Sequence, residues 1–536
     1  MENQVSQLDE TVKAVEVAAG AIHLPDSTKY MLWSGIGLYL FAMLLIGYLA
    51  SRRVGDMKDF LVAGRRLPLW MATATLLATW FGAGSSMGVA ATVYSSGIGG
   101  VLADPFAASL SLILAGIFIV GLLRRMKCLT VTDIVGRRFG RAAGAYTALW
   151  MVPVYIGWLG AQVLGMGTIL QVLTGMPLLY GTLIGAAVVL LYTVLGGMWA
   201  VTLTDVIQLS LIICGLFLII PGALHEAGGL TAIMDNIPAE QLSLAKPADQ
   251  SMAYYLGSWL IMGLGCMVGQ DLVQRSLSSK NEKVAISSSV MAGFFYLAIA
   301  VVPIAIGFAA RIVLAKYNIT EETMGGSLEN QVLPRMAVII LGQLSPILLT
   351  LFLSALISAI MSSADSSLLA GCSLITNDVI AAIWPKLSDR TLLIITRSAT
   401  LVFTVVATLL ALQVKSIYHL MINSWASQLV VVFIPVVAAL YVRKITKNGI
   451  WATMVVSTAV WLTYVFVWGF GVELDPEVIT ADGRFSGLLQ SDSFNEILTC
   501  GALYGFLAGL ATFVCVWLGE AIVRWQNITD DEEASS

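Results

Sequence analysis

Charge is what this chain has least of. Of its 536 residues only 12% are Asp, Glu, Lys or Arg, while 58% are hydrophobic. Soluble globular chains carry about 25% charged residues. Half that share cannot cover a water-facing surface of this size, and a mean hydropathy of +0.86 makes a bilayer the surrounding medium. A secreted disulfide scaffold, a nucleic-acid binder with a basic stripe and an ordinary cytosolic enzyme are thereby excluded. Histidine is scarce too: His23, His225 and His419 are the three, in the first tail, a loop and a span end. That excludes haem ligation by paired intramembrane imidazoles and zinc-protease motifs such as H-E-x-x-H. No G-x-x-x-x-G-K-[ST] loop is present, so ATP does not drive the protein directly. The six cysteines have neither metal-ligand nor disulfide spacing and read as small core residues. No basic stretch precedes an apolar run in the first 29 residues, so no cleavable signal is expected.

What is abundant is long apolar runs. A spanning helix needs about 20 apolar residues. The chain divides into thirteen such stretches, near 30 to 50, 69 to 94, 100 to 123, 143 to 173, 177 to 195, 200 to 222, 251 to 270, 285 to 312, 346 to 378, 391 to 413, 417 to 442, 450 to 470 and 496 to 520. The expected fold class is an all-α polytopic membrane protein. Its expected divisions are an outer tail 1–29, a transmembrane part 30–520 and an acidic inner tail 521–536. Basic residues mark the inside. With the N-terminus outside and the C-terminus cytoplasmic, twenty Lys and Arg fall on inner segments and eight on outer ones. The short apolar run 336 to 345 is expected to lie as an outer hairpin or helix rather than to cross, and Asn318-Ile-Thr is a glycosylation sequon on the same side.

Polar features inside such spans carry a cost and are functional candidates. In the second span, Gly82-Ala83-Gly84 weakens the helix by about 1 kcal/mol per glycine relative to alanine. A helix opened there frees carbonyls such as those of Ala78 and Phe81 for a cation; alternatively, the small residues serve close helix packing. In the ninth span Ala359, Ser362, Ser363 and Ser366 share one face, with Asp365 three places beyond Ser362. Such a stripe offers hard oxygen ligands to an alkali cation, unless its hydroxyls merely bond back along the helix. Asp205 near the inner end of the sixth span is a second buried acid or a helix cap. Asp104 and Asp271 stand near span ends. Trp80 and Trp158 sit inside spans, away from the interfacial aromatic belts, as cavity lining or as packing.

The order of spans adds a symmetry. Spans two to six and seven to eleven, about 69–222 and 251–442, are two blocks of five, each opened by a glycine-interrupted helix: Gly82-Ala83-Gly84 in one, Gly263-Leu264-Gly265 with Gly269 in the other. Blocks of odd length imply inverted topology, and interrupted helices in matching positions point to a midplane site. A secondary transporter is the expectation. A channel more often uses repeated pore loops.

The segment Tyr192 to Gln208 (YTVLGGMWAVTLTDVIQ) resembles the signature of the sodium:solute symporter family. Asp59 to Arg65 resembles the family's entry segment, Met361 to Ser367 its sodium-site helix, and Gln274-Arg275 with Ser278-Ser279-Lys280 a typical inner-loop pattern. The likeness runs from about Ser34 to Leu440. It implies a leucine-transporter-type fold with one extra N-terminal and two extra C-terminal helices around the five-plus-five repeat. It implies sodium-driven uptake of a small organic solute across the cell membrane, with sodium as the transported coupling ion and no nucleic-acid partner.

Carried over by motif, the main sodium site uses the carbonyls of Ala78, Phe81 and Ala359 and the hydroxyls of Ser362 and Ser363. Asp205 matches the family acid on the sodium exit path or at a second sodium site, which Ser366 could join. Ala78 to Gly84, the tract Ser109 to Leu114, Trp158 and Ser362 to Ser367 look most like the high-affinity choline transporter branch, which puts Trp80, Gly84, Ser85 and Trp158 at the solute. Where that branch has a further cage tryptophan on the interrupted seventh span, this chain has Gly269 or its neighbours, which keeps amino acids, other small amines and organic acids open.

Rival readings are a proton-coupled transporter relying on Asp205 or Asp365, a solute sensor, for which the sixteen-residue inner tail is a poor signalling domain, and an intramembrane enzyme, for which no histidine stands available to the serines.

Overall fold

A computed structural model describes residues 26–51, 62–128, 130–246, 250–319, 329–414, 416–469 and 491–535. Where water is absent, backbone N–H and C=O groups must be satisfied within the segment, so the apolar runs become helices. Among the described residues there is no strand, only one parallel bridge between Leu67 and Ser279. In chain order, α1 is Asp26–Ser51, α2 Leu69–Trp80, α3 Gly84–Ser96, α4 Ile98–Met126, α5 Val131–Phe139 and α6 Arg141–Thr174. Then follow α7 Leu178–Glu226, α8 Met252–Gly263, α9 Gln270–Ser278, α10 Glu282–Lys316, α11 Val332–Leu344 and α12 Pro346–Ser373. The last four are α13 Asp389–Ala411, α14 Ile417–Tyr441, α15 Lys447–Gly469 and α16 Asp492–Ser535. The run at 336 to 345 is indeed helical, as the end of α11.

Among the described residues, eleven helices are long and apolar enough to cross a bilayer, and α2 with α3, bent by 62° at their break, makes a twelfth. The expected span 177 to 195 falls short by this measure, because the apolar segment Leu178–Leu191 is brief and α7 stays helical through to Glu226. A straight helix of 49 residues would be about 74 Å long, more than twice the hydrocarbon thickness. The ends of α7 nevertheless lie near one face. Gly181 packs on Gly167 near the end of α6, Gly222 packs on Ile340 of α11, and Gln331 just before α11 bonds to Gln171 near that same end of α6. The middle of α7 reaches the interior of the bundle, where Asp205 meets Thr75 midway along α2. The chain therefore turns back within α7.

Helices α6, α12 and α14 form the centre, with 78–89% of their apolar windows buried, whereas α1, α15 and α16 expose most of theirs (22%, 33% and 11% buried). The exposed apolar rows on these outer helices, such as Tyr30, Phe41, Phe466 and Trp517, are lipid-facing surface for a chain whose solvent is hydrocarbon. On the arginine-rich face the two broken helices are tied together. Leu67 N–H donates to the Ser278 carbonyl at 3.0 Å, Lys280 N–H donates to the Leu67 carbonyl at 2.9 Å, and the Arg124 guanidinium donates to the Ser279 carbonyl at 2.9 Å. Arg65 donates to the carbonyls of Lys127 and Cys128, closing that face further. The tail 1–25, the basic residues Arg52, Arg53, Lys58, Lys415 and Arg484, the start of the entry segment at Asp59 and Thr320 of the sequon lie outside the described residues.

Candidate functional site

The site grows from the break between α2 and α3. The helical ladder of α2 ends at Phe81, whose N–H still reaches the Leu77 carbonyl and whose φ and ψ of −91° and 76° are not helical. Gly82 N–H, the regular partner of the Ala78 carbonyl, bonds instead to the Trp80 carbonyl at 3.2 Å. Ala83 N–H, the regular partner of Thr79, bonds to Gln162 Oε1 at 2.9 Å. The carbonyls of Ala78 and Thr79 are thus released from the α-helical pattern at the middle of the bundle, where the sequence predicts an opening.

Into this opening comes the serine stripe of α12. Ser363 Oγ donates to the freed Thr79 carbonyl at 2.6 Å, and Ser362 Oγ donates to Asp205 Oδ1 at 2.6 Å. Phe81 and Ala359 meet across a 10 Å³ cavity. The close approach depends on Gly82, since a Cβ there would stand 2.3 Å from Ser363 Oγ and 2.6 Å from Gln162 Oε1. Overpacking of this kind costs about 1–3 kcal/mol. Gly82→Ala is expected to lower the melting temperature and abolish sodium-driven uptake, whereas Gly37→Ala, with nothing within 4 Å, leaves both intact. A Gly82→Ala variant with ordinary uptake would mean that α2 and α12 need not touch here.

Behind the stripe lies a fully buried polar cluster. Asp205 also accepts from Thr75, and Arg275 of α9, itself 0% exposed, stands 3.9 Å from Asp205 Oδ2 and donates to Ser366 Oγ. Ser366 Oγ donates to the Ser362 carbonyl at 2.5 Å and lies 3.1 Å from Thr79 Oγ1. Asp365 is buried next to it, its Oδ1 3.3 Å from Ser366 Oγ. Asp205, Ser362, Ser366 and Asp365 therefore gather as the sequence suggests, but a guanidinium stands among them that spacing along single helices does not reveal.

On the other side of the break is a box of aromatic rings. Trp80, the last residue of α2, has its ring centroid 6.3 Å from that of Trp425; Trp425 is 5.5 Å from Trp158; and Tyr155 of α6 is 6.2 Å from Trp158 and 6.1 Å from Trp425. Asp271 holds two of these walls in place. Its Oδ2 accepts from Trp80 Nε1 at 2.8 Å and its Oδ1 from the Tyr155 hydroxyl at 3.0 Å. Asp271 lies in the first turn of α9, where the helix dipole favours a carboxylate. The Tyr155 hydroxyl in turn accepts from Gln270 N–H at 2.6 Å.

Gly269 is where the missing wall is explained. A Cβ on it would lie 2.9 Å from Asp271 Oδ1 and 3.3 Å from Trp425 Cζ3, so the space a large side chain would fill there is taken by an indole from α14. Trp425 follows the first helical piece of α14, Ile417–Ser424, just before the helix loosens into the wider turns of Gln428–Val432. Its signal in the sequence is a tryptophan well inside a span rather than at its end.

Two predicted solute contacts sit at the edge of the box. Ser85 Oγ lies 2.7 Å from Asp104 Oδ2, 2.6 Å from the Tyr296 hydroxyl and 3.0 Å from the Trp80 carbonyl, and Gly84 packs on Met421. Tyr296 also donates to Asp104 Oδ1 at 2.5 Å, so Asp104 organises the start of α3 as Asp271 organises the box.

Two interrupted helices, freed carbonyls facing a serine stripe and an aromatic box between them, all at the centre of a helical bundle, define a secondary transporter of the leucine-transporter-type fold. The chain belongs to the sodium:solute symporter family, whose pattern it matches over residues 60–457. It is a multi-pass membrane protein that couples the import of a solute to sodium.

Similar proteins include the high affinity choline transporter 1 of Homo sapiens, 30% identical over 430 residues, covering 77% of this chain and 73% of the human protein. The osmoregulated proline transporter of Bacillus subtilis is 26% identical over 445 residues, covering 80% of this chain and 88% of that one. Among solved structures, the substrate-bound outward-open state of a Na+-coupled sialic acid symporter superposes with a TM-score of 0.69 at 20% identity, covering 90% of this chain and 98% of the other. A nucleobase-cation-symport-1 family transporter in a closed conformation gives 0.52 at 16% identity, covering 85% and 94%.

Proposed function

We propose that this symporter imports a small organic cation of the choline type. The observation that carries this is the box of Trp80, Trp158, Trp425 and Tyr155 with the Asp271 carboxylate bound to two of its walls. Desolvated aromatic faces attract alkylated ammonium groups by about 2 kcal/mol or more each, and a buried carboxylate supplies the counter-charge. The similarity to choline transporters supports the same solute class. The solute contacts are Trp80, Trp158 and Trp425, with Gly269 leaving room for the last and Gly84 and Ser85 shaping the edge.

Sodium binds in this reading between the break of α2 and the stripe of α12, to the carbonyls of Ala78, Phe81 and Ala359 and the hydroxyls of Ser362 and Ser363. There it holds the broken helix in the form that completes the box. Sodium drives uptake only through its differential affinity for the two states of the carrier. Asp205, Asp365 and Ser366 are the residues that a second sodium would need, and Arg275 already supplies a positive charge among them. One sodium per solute follows. Wild-type uptake should then depend on sodium with a Hill coefficient of about one, and Arg275→Gln should steepen it toward about two. A wild-type coefficient of about two would refute the assignment. Each cycle carries two positive charges, so the membrane potential contributes about 4.6 kcal/mol per 100 mV.

The arginine-rich face is cytoplasmic, α7 crosses twice, and thirteen crossings put the N-terminus outside and the C-terminus inside. The five-plus-five repeats occupy about 69–222 and 251–442, flanked by the tails 1–29 and 521–536. The test is a thermal-shift screen of the purified protein against amines, amino acids and organic acids, first in sodium and then in potassium. Choline or a related amine should raise the melting temperature in sodium only. Stabilisation by an amino acid or an organic acid instead would reject the cation.

A further inference from the structure

We infer that the chain binds the head group of an aminophospholipid, a zwitterion with a primary ammonium and a phosphate, in a cavity of about 320 Å³ on its arginine-rich face. The inference does not depend on which solute the box holds. Three segments enclose the cavity: α5, the first turns of α6, and the continuation of α12 through the wider turns Leu374–Ile380 and on to Pro385. At Gly136 and Gly144, both in the lining, α5 and α6 meet backbone to backbone, since a Cβ on Gly144 would stand 2.9 Å from Gly136 Cα.

Four charged side chains line the cavity, and two of them are spent on each other. Asp133 accepts from Arg137 through both oxygens, at 2.9 and 2.6 Å. That leaves Arg141 and Asp378, one of each sign. Arg141 opens α6, where the helix dipole adds positive potential, and no carboxylate among the described residues pairs with it. Asp378 is only 9% exposed. Its Oδ1 accepts from Thr130 Oγ1 at 2.8 Å, while its Oδ2 and Thr132 Oγ1, also of the lining, have no hydrogen-bond partner among the described residues. A buried carboxylate oxygen without a donor is costly, and a primary ammonium brings the donors it lacks. The planar guanidinium of Arg141 suits phosphate oxygens in turn. No aromatic ring stands in this lining, so a quaternary ammonium has no face to lie against, unlike in the box.

One face of α6 leads from the cavity into hydrocarbon. Arg141 and Ala145 belong to the lining, and Leu149, one turn further along the same face, is 58% exposed. On the other wall Ile383 and Trp384, next to Pro385 of the lining, are exposed as well, and a tryptophan there has the place of an interfacial anchor. A charged pocket continued by exposed apolar side chains fits a head group with its acyl chains, and not a free phosphate from solution. The position also bears on the carrier. Thr130 Oγ1, the donor to Asp378, caps α5 by accepting from Asp133 N–H at 3.2 Å, and Val131 N–H donates to Gln270 Oε1 of α9 at 2.9 Å. A head group joining Arg141 to Asp378 thus braces α5, α6 and α12 together beside the start of α9.

The test is native mass spectrometry with thermal unfolding of the full-length protein in detergent. It is titrated with dioctanoyl phosphatidylethanolamine, phosphatidylcholine and phosphatidylglycerol, and with phosphoethanolamine, which has no acyl chains. Phosphatidylethanolamine is expected to add one saturable equivalent and to raise the melting temperature, the other three needing at least about tenfold higher concentrations. Arg141→Gln should abolish that equivalent. Asp378→Asn, which keeps the size of the side chain and removes its charge, should erase the preference over phosphatidylcholine. Arg141 is exposed and pairs with no carboxylate among the described residues, so its variant folds and serves even where Asp378→Asn does not. An equal response to phosphatidylcholine or phosphatidylglycerol would overturn the ammonium assignment, and an equal response to phosphoethanolamine the lipid source. Phosphatidylethanolamine binding unchanged in Arg141→Gln, or no saturable binding at all, would overturn the site.

Discussion

Trp425→Ala is expected to raise the choline concentration for half-maximal sodium-driven uptake about 30-fold, because losing one desolvated cation–π wall worth about 2 kcal/mol corresponds to that factor. The indole does two jobs. It faces Trp80 and Trp158, and it fills the volume over Gly269. Trp425→Phe keeps an aromatic face and should recover much of the loss, whereas Trp425→Leu keeps bulk without the face and should not. Uptake measured against choline concentration at fixed sodium separates the two contributions. If the leucine variant matches wild type, the ring is packing and the solute is not held by its face. Asp271 marks the same distinction from the other side. Its carboxylate anchors Trp80 and Tyr155, so Asp271→Asn removes the counter-charge and weakens the acceptor for one wall at once.

Changing Ser362 and Ser363 together to alanine is the second large effect. Their hydroxyls are the side-chain oxygens offered at the break of α2, and both are fully buried, bonded to Asp205 and to the Thr79 carbonyl. Removing them leaves Asp205 with fewer donors and the freed carbonyl without a partner. An unsatisfied buried polar group costs about 1–3 kcal/mol. The sodium concentration for half-maximal uptake should rise at least about tenfold, corresponding to about 1.4 kcal/mol of lost binding. Titration of uptake with sodium at saturating choline checks this, and a double variant with wild-type sodium dependence would move the ion site elsewhere.

Much of the site is legible along single helices. Gly82 and Gly84 interrupt α2, and Ser362, Ser363 and Ser366 repeat at helical spacing, so a break and an oxygen stripe can be read without knowing what faces them. Asp205 and Asp365 are conspicuous because an acid in an apolar run is costly. The apolar stretches 177 to 195 and 200 to 222 read as two spans, whereas the structure joins them in one helix, α7, whose ends the packing of Gly181 and Gly222 places near one face.

Composition and periodicity by themselves determined the medium, the helical class, the arrangement of interrupted spans and the oxygen-bearing stripe, because each of these is a property of one segment in contact with hydrocarbon. The identity of what completes the two sites was decided by tertiary structure. Arg275 reaches Ser366 across 91 positions, Tyr155 reaches Asp271 across 116, and Trp80 reaches the same carboxylate across 191. The missing cage wall belongs to the same category: Gly269 leaves a space on one helix and Trp425 fills it from another. No local pattern encodes such a pair, since complementarity of volume and charge exists only once the helices are packed.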